Sequence, residues 1–155
     1  MTEDHLRKYA DLLLWYIGGV RNQNLLVRPH PEHRSLAIVI AEAAYDQGAR
    51  LVDLIYQDPL VVRARLNYSV AEHLSSLPEH TRAAYDEFAD PSWSLVTLTG
   101  SDYPDALAGC DPERMGAYFT AARSQMQRLQ EEVSNFRKAW VGAMVPTAAV
   151  ALKAL

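Results

Sequence analysis

Ser94-Leu95-Val96-Thr97-Leu98-Thr99 runs directly into Gly100-Ser101-Asp102, and it is the clearest strand signal in the chain. Its first six residues are mostly apolar or β-branched, which is typical of a β-strand. The glycine and the short polar residues that follow are typical of a turn that ends such a strand. We therefore predict a strand over residues 94–99 and a loop directly after it.

The loop after this strand, Thr99, Gly100, Ser101 and Asp102, has two interpretations. Loops at the carboxyl ends of parallel strands often carry function, so it could form a cleft or contact a substrate or a neighbouring domain. The simpler interpretation is a turn in which Asp102 caps a short segment over residues 103–107. The turn is favoured, and the interdomain or cleft loop stays open.

Other apolar runs and periodic segments predict the remaining elements. Strands are predicted at 25–27, 51–56 and 140–145. Helices are predicted at 3–17, 33–47, in pieces within 59–90, at 112–136, and from Pro146-Thr147 to Leu155. Start signals for four helical segments are Asp58-Pro59, Asp111-Pro112, Ser69 with Glu72, and Ser76 with Glu79. Gly48 follows the second helix, where a left-handed residue commonly ends a helix.

The order of these elements predicts the fold class. Strands separated by helices indicate a parallel sheet, because parallel neighbours need a crossover connection. Right-handed crossovers then place helices on both faces. We predict an α/β fold, a three-layer sandwich with a mostly parallel sheet of about four strands, in a single domain over residues 1–155. The last helical run stops after two turns without a cap, which favours a longer parent polypeptide.

Composition and charge limit the classes of function. The chain has 155 residues, of which 49% are apolar and 22% charged, as in an ordinary globular protein. A net charge of −4 with scattered Lys and Arg argues against nucleic acid as a partner. No apolar stretch reaches the roughly 18 residues that span a bilayer, so no membrane partner is expected. The acidic N-terminus and the single cysteine favour a cytoplasmic location.

His30, Glu32 and His33 come nearest to a metal-binding group. A zinc site needs three or four converging ligands, and no cysteine or second histidine-rich segment completes one. We interpret residues 30–33 as a solvated loop before a helix. The other three histidines lie in polar helical contexts and are predicted at the surface: His5, His73 and His80.

Cys110 and the helix after it offer two further candidates. A helix N-terminus can favour a nucleophilic thiolate, but the adjacent Asp111 opposes it and no base is visible, so a packed or idle thiol is favoured. The apolar stripe of the 112–136 helix could pair with another helix, although packing onto the sheet is favoured. Its members are Met115, Phe119, Ala122, Met126, Leu129, Val133 and Phe136. Nucleophile-elbow and phosphate-binding glycine motifs are absent.

The sequence as a whole nevertheless resembles the N-terminal domain of the thermophilic metalloprotease family, the leucyl aminopeptidase-like enzymes of aminopeptidase T and aminopeptidase S type. The segments at 98–102 and 105–114 are similar to a family Gly turn followed by Pro-Asp-Leu/Ala-Leu-x-Gly-Val-Asp-Pro-Glu. The segments at 6–13 and 41–49 are similar to Leu-x-Lys-Tyr-Ala-x-Leu-Leu and Glu-x-Ala-Tyr-x-x-Gly-Ala. Trp140 with Pro146-Thr147 resembles the family's Trp-x5-Pro-Thr.

This resemblance implies a function that the local motifs do not. In that family two divalent metal ions, of the zinc or cobalt type, are held by Glu, His and Asp side chains of a C-terminal domain. None of those positions falls in this chain, so no catalytic, cofactor or metal residue is expected here. The resemblance implies a domain that covers the active-site cavity, forms a wall of the substrate path and contributes contacts to a homodimer. Its partners would be the missing catalytic domain and a peptide substrate, and it would be inactive in isolation.

Two alternatives remain beside this expectation. A stand-alone binding or dimerisation module on the same scaffold is suggested by Leu12, Trp15 and Tyr16, which spread beyond one face of the first helix. A nucleotide-dependent enzyme on a doubly wound sheet is disfavoured, because the phosphate-binding glycines are missing.

Overall fold

The computed structural model describes residues 2–147, together with Ala149 and Leu152. Alternating helices and strands follow the chain in this order: α1 Glu3–Tyr16, β1 Asn24–Arg28, α2 Arg34–Asp46, β2 Leu51–Leu54, α3 Pro59–Tyr68, α4 Glu79–Phe88, β3 Trp93–Thr99, α5 Pro112–Gln125, α6 Gln127–Ser134 and β4 Trp140–Met144. Short 3-10 turns cover Pro31–His33 and Ala71–His73. The predicted helix after Pro146 lies largely outside the described residues.

Within the described residues, four strands form one sheet in the order β2-β1-β3-β4, and all neighbours are parallel. The predicted α/β class and parallel sheet are therefore confirmed. The crossover connections run in opposite directions on the two sides of the β1–β3 boundary. The chain leaves β1 through α2 toward one sheet edge and leaves β3 through α5 and α6 toward the other. The β1–β3 boundary is thus the switch point of a doubly wound sheet.

Helices cover both faces of the sheet, as predicted. On one face α1 and α2 pack on alternate strand residues that include Leu25, Val27 and Val96. On the other face α4 and α6 pack on Leu26 and Leu95. Because side chains alternate along a strand, consecutive residues of β1 belong to opposite cores. The alternation makes β1 and β3 the buried centre of the domain.

A third apolar cluster lies beside the sheet layers, between α3 and α5. Its buried residues are Leu66, Leu74 and Cys110, and Met115 and Tyr118 pack against them. The interpretation of Cys110 as a packed thiol is therefore confirmed. This side layer gives the chain an extra pair of helices beyond the sandwich, and it forms part of the wall of a large cavity described below.

Two local predictions were wrong. The 112–136 segment is two helices, because Met126 leaves helical geometry (φ −98°, ψ 5°) between α5 and α6. Neither Ser69 nor Ser76 caps a helix: the extended backbone of Val70 and of Pro78 moves each start further along the chain. The aspartate signals were right, since Asp58 and Asp111 side chains accept N–H groups of α3 and α5.

Candidate site at the carboxyl edge of the sheet

The loops after β1 and β3 meet at the carboxyl edge of the sheet. They comprise residues 29–33 and 100–102, and they flank the switch point at which doubly wound sheets commonly bind ligands. In this chain the buried His33 side chain lies between the two loops. The two loops are joined through His33 and Glu32, and this contact is the first element of the candidate site.

His33 is a buried histidine, with only 2% of its surface exposed. Its Nε2 lies 3.1 Å from the Gly100 carbonyl oxygen, which can only accept, so Nε2 carries the proton. Its Nδ1 accepts the backbone N–H of His30 at 3.4 Å. Burial lowers the pKa of His33, and the hydrogen bond to Gly100 only partly opposes this effect. A neutral imidazole with both nitrogens paired therefore joins the β1 loop to the β3 loop.

Glu32 forms the second contact between the two loops. Its carboxylate accepts the backbone N–H of Asp102. Burial raises the pKa of Glu32, but hydrogen bonds from its own N–H, from Asp102 N–H and from the Ser101 hydroxyl outweigh burial and leave the pKa below its ordinary value. The ionised carboxylate is thus part of the loop structure.

Gly100 directly follows β3 and lies against Val145, which directly follows β4. Its φ is +100°, and a Cβ at this position would lie 2.4 Å from the Val145 carbonyl oxygen. The Val145 N–H donates to the Thr99 carbonyl oxygen at 2.8 Å, and the Thr99 hydroxyl donates to Ala143 O at 3.3 Å. Only glycine fits between these groups without displacing the end of β4.

The predicted loop, Thr99, Gly100, Ser101 and Asp102, therefore lies at this edge, with Thr99 and Asp102 exposed to solvent. Ser101, not Asp102, accepts the N–H of Tyr103, at 3.0 Å. The solvated-loop interpretation of residues 30–33 was wrong for His33, which is buried against Gly100. The signal that could have found this pairing is a His-Pro-Glu-His segment directly after a strand.

The nearest metal-like group, His30, Glu32 and His33, does not fit a metal ion. Both His33 nitrogens are used, a Glu32 oxygen holds Asp102 N–H, and His30 Nδ1 donates to Gln57 O at 2.7 Å. Across residues 2–147 with Ala149 and Leu152, no group of three or more His, Cys, Asp or Glu side chains converges as metal ligands would. The carboxyl edge is therefore a paired loop structure.

A cavity of about 760 Å³ opens next to this edge, at the ends of β1 and β2 and under α3–α6. Arg28, the last residue of β1, lines it. Arg28 Nη2 donates to Gln57 Oε1 at 3.1 Å, and Gln57 Nε2 donates to Arg28 O at 3.2 Å. The guanidinium carbon lies 5.7 Å from the Tyr85 ring centre, a cation–π arrangement.

These features define a three-layer, doubly wound α/β domain whose switch point is closed by its own loops. The match to the family model for thermophilic metalloproteases (M29) extends over residues 2–155, and the chain belongs to that family.

Similar proteins are aminopeptidases. The chain is 32% identical to aminopeptidase T of Thermus aquaticus, over 92% of this chain and 38% of that protein. It is 26% identical to aminopeptidase 2 of Geobacillus stearothermophilus, over 97% of this chain and 37% of the relative. The solved structure of wild-type AmpT from Thermus thermophilus superposes with a TM-score of 0.80 at 26% identity, covering 95% of this chain and 37% of that one.

The chain thus spans a little over a third of the length of these relatives. The resemblance to this metalloprotease family and the predicted fold class are confirmed. In the part of the chain that the structure describes, no helix has the length and apolar character needed to cross a membrane.

Proposed function

We propose that this chain is the non-catalytic N-terminal domain of a metal-dependent aminopeptidase. In this proposal it covers the active-site cavity, forms one wall of the path of a peptide substrate and contributes to homodimer contacts, in the cytoplasm. The observation that carries the proposal is the family match over residues 2–155, in a chain spanning just over a third of relatives named as aminopeptidases.

The carboxyl edge is the proposed contact with the catalytic domain. His33, Glu32 and Gly100 hold the loops of β1, β3 and β4 in one arrangement, so an opposing surface meets a preformed edge. Exposed side chains project from that edge, among them Thr99, Asp102, Tyr103 and Met144. A mixed polar and apolar rim of this kind suits a contact between domains of one enzyme.

In this proposal the catalytic chemistry is assigned to the part of the relatives that this chain does not cover. There, two divalent metal ions would activate a water molecule and polarise the scissile carbonyl of the N-terminal residue. The hydrogen bonds that His30, Glu32 and His33 form within the loops support this assignment, because they leave this group poorly suited to hold a metal ion. The proposed task of this chain is to shape the space through which the peptide reaches those metals.

The direct test is an aminopeptidase assay of the purified chain. The chain is incubated with a chromogenic leucyl anilide in the presence of cobalt or zinc, beside full-length aminopeptidase T of Thermus aquaticus as the active control. We expect turnover by the control and none by the chain. Metal-dependent turnover that follows the chain through purification would contradict the proposal.

A second candidate function, a stand-alone dimerisation module, is favoured by the outer surface of α1. Leu12, Trp15 and Tyr16 are 54%, 74% and 67% exposed, and neighbouring exposed apolar side chains of this kind can form a protein–protein contact. Sedimentation equilibrium of the wild type and of Trp15→Lys distinguishes the two functions. A tight dimer that Trp15→Lys dissociates supports the module, whereas unspecific aggregation supports a domain separated from its partner.

A further inference from the structure

The cavity at the ends of β1 and β2 has an apolar wall and a polar floor. It lies to one side of the closed switch point, next to α5 and to the sheet face that α4 and α6 cover. The apolar wall consists of Ile55, Tyr85, Leu107, Tyr118, Phe119 and Met126. Its volume of about 760 Å³ lies within the range that small-molecule sites occupy.

Arg28 supplies a hydrogen-bond donor that the protein does not use. Its Nη2 is paired with Gln57 and its guanidinium faces Tyr85, but its buried Nε has no hydrogen-bond partner in the described part of the chain. Nor does Arg28 form an ion pair with any described carboxylate. A partly buried cation with a free donor is costly unless a ligand pairs with it.

Gln125 supplies the matching acceptor on the same cavity. Its Nε2 donates to the Pro78 carbonyl oxygen at 3.3 Å, which fixes the amide orientation and leaves the buried Oε1 without a partner. A third unpaired buried atom, Nε of Arg65, does not line the cavity, and that guanidinium already donates to two carbonyl oxygens. Among the side chains that line the cavity, Arg28 and Gln125 therefore each have one buried polar atom without a partner in the described part of the chain, a donor and an acceptor.

The charges around the cavity favour an anion, although the chain as a whole carries −4. Arg28 and Arg123 line it, and Asp58 is the carboxylate among the lining residues. Asp58 Oδ1 already accepts the N–H groups of Leu60 and Val61 as the cap of α3. A ligand that fits has an apolar body, an anionic acceptor for the guanidinium and an N–H donor for Gln125.

We propose that this cavity binds the carboxy-terminal residue of a short peptide, with an apolar side chain in the cavity, its free carboxylate on Arg28 and a main-chain N–H on Gln125. A peptide provides the donor and the acceptor together, and carboxylate–guanidinium pairs are strong hydrogen bonds. The choice of a peptide over another apolar acid rests on the proposed aminopeptidase function; the acidic, apolar character of the ligand rests on the cavity alone.

NMR of the arginine Nε–H signals of the full chain tests this directly. Leucyl-phenylalanine is titrated and the Arg28 Nε–H resonance is followed, with its assignment taken from its loss in Arg28→Gln. We expect a saturable shift, and binding about tenfold weaker for the carboxy-terminal amide, which lacks the charged acceptor. 4-Phenylbutyrate has the carboxylate and the ring but no N–H donor, and we expect it to bind several-fold more weakly.

Variants separate the cavity from a general effect of charge. Arg28→Gln and the cavity-filling Ala122→Phe, which keeps Arg28, should each weaken leucyl-phenylalanine binding about tenfold or more. Arg63→Gln removes the same charge from an exposed position of α3 outside the cavity and should bind as the wild type does.

Three outcomes overturn the inference: no saturable Arg28 shift at millimolar peptide, equal affinity for acid and amide, or equal loss in Arg63→Gln and Arg28→Gln. Equal binding of 4-phenylbutyrate overturns the assignment to a peptide. None of these results changes the leucyl anilide assay, so the failure of this site and the failure of the proposed function are distinguishable.

Discussion

The carboxyl edge of the sheet and the cavity beside it both begin at the end of β1, and they differ in how their polar atoms are paired. At the edge, His33, Glu32 and Gly100 each form hydrogen bonds between loops. In the cavity, Arg28 and Gln125 each keep one buried atom without a partner in the described chain. Loops whose polar atoms are paired with each other therefore lie next to a cavity in which two buried polar atoms are unpaired, as a ligand site would require.

The largest change in the free energy of unfolding is expected at Gly100, in the closely packed carboxyl edge. Gly100→Ala should lower the free energy of unfolding by about 3 kcal/mol, because the new Cβ meets Val145 O and alanine is strained at positive φ. Gly116→Ala is the matched control: its site in α5 is open, so it should be neutral or slightly stabilising. Chemical denaturation of both variants measures the difference, and equal effects would show that the edge is not tightly packed.

The next effect concerns His33 and its pH dependence. His33→Gln should cost about 2 kcal/mol above neutral pH, since Gly100 O and His30 N–H lose a well-placed partner. Because the folded state lowers the pKa of His33, the unfolded state takes up the proton first. Stability of the wild type should therefore fall as the pH decreases below about 6.5, the ordinary histidine pKa.

The His33→Gln variant should not show this loss of stability below about pH 6.5. The His73→Gln variant, in which the replaced histidine is exposed, should show it as the wild type does. The folded state also lowers the pKa of Glu32, so the unfolded state takes up this proton first. The stability that Glu32 contributes should therefore be lost as the pH falls below about 4.5, the ordinary glutamate pKa. Thermal melts from about pH 3 to about pH 8 cover both windows. Parallel curves for the wild type and His33→Gln would contradict the role assigned to His33.

The smallest effect tests whether the cavity is open space. Ala122→Phe should change the free energy of unfolding by less than about 1 kcal/mol, because the ring enters the cavity. Ala37→Phe places the same ring in the closely packed core under α2 and should cost about 3 kcal/mol. If the two variants are equally destabilised, the space at Ala122 is not available to a ligand.

Local sequence signals predicted the scaffold well. The strand at 94–99, the aspartate–proline helix starts and the left-handed Gly48 depend on residues close in sequence, and each is present. The break at Met126 was missed because no glycine or proline marks it and the apolar spacing continues through it. The serine capping boxes failed because neighbouring extended residues decided where each helix begins.

Of the two loops that form the candidate site, the sequence predicted only the loop after β3, because the contact with the second loop depends on strand order. Thr99–Asp102 could be placed at a strand end from sequence alone, but its partner loop could not. The contact of His33 with Gly100 joins residues 67 positions apart and exists only because β1 and β3 are neighbours in the sheet. Strand order depends on the packing of the whole domain. The unpaired atoms of Arg28 and Gln125 likewise become visible only when α5 is placed against α3 and α4, beside the end of β1.

Metal retention by the purified chain tests whether its own side chains can hold a metal ion. The chain is loaded with zinc or cobalt, dialysed exhaustively and analysed for metal per polypeptide, with aminopeptidase T of Thermus aquaticus treated in parallel. We expect substoichiometric metal, because His30, Glu32 and His33 are committed to hydrogen bonds within the loops. One or two equivalents held by the chain alone would contradict it.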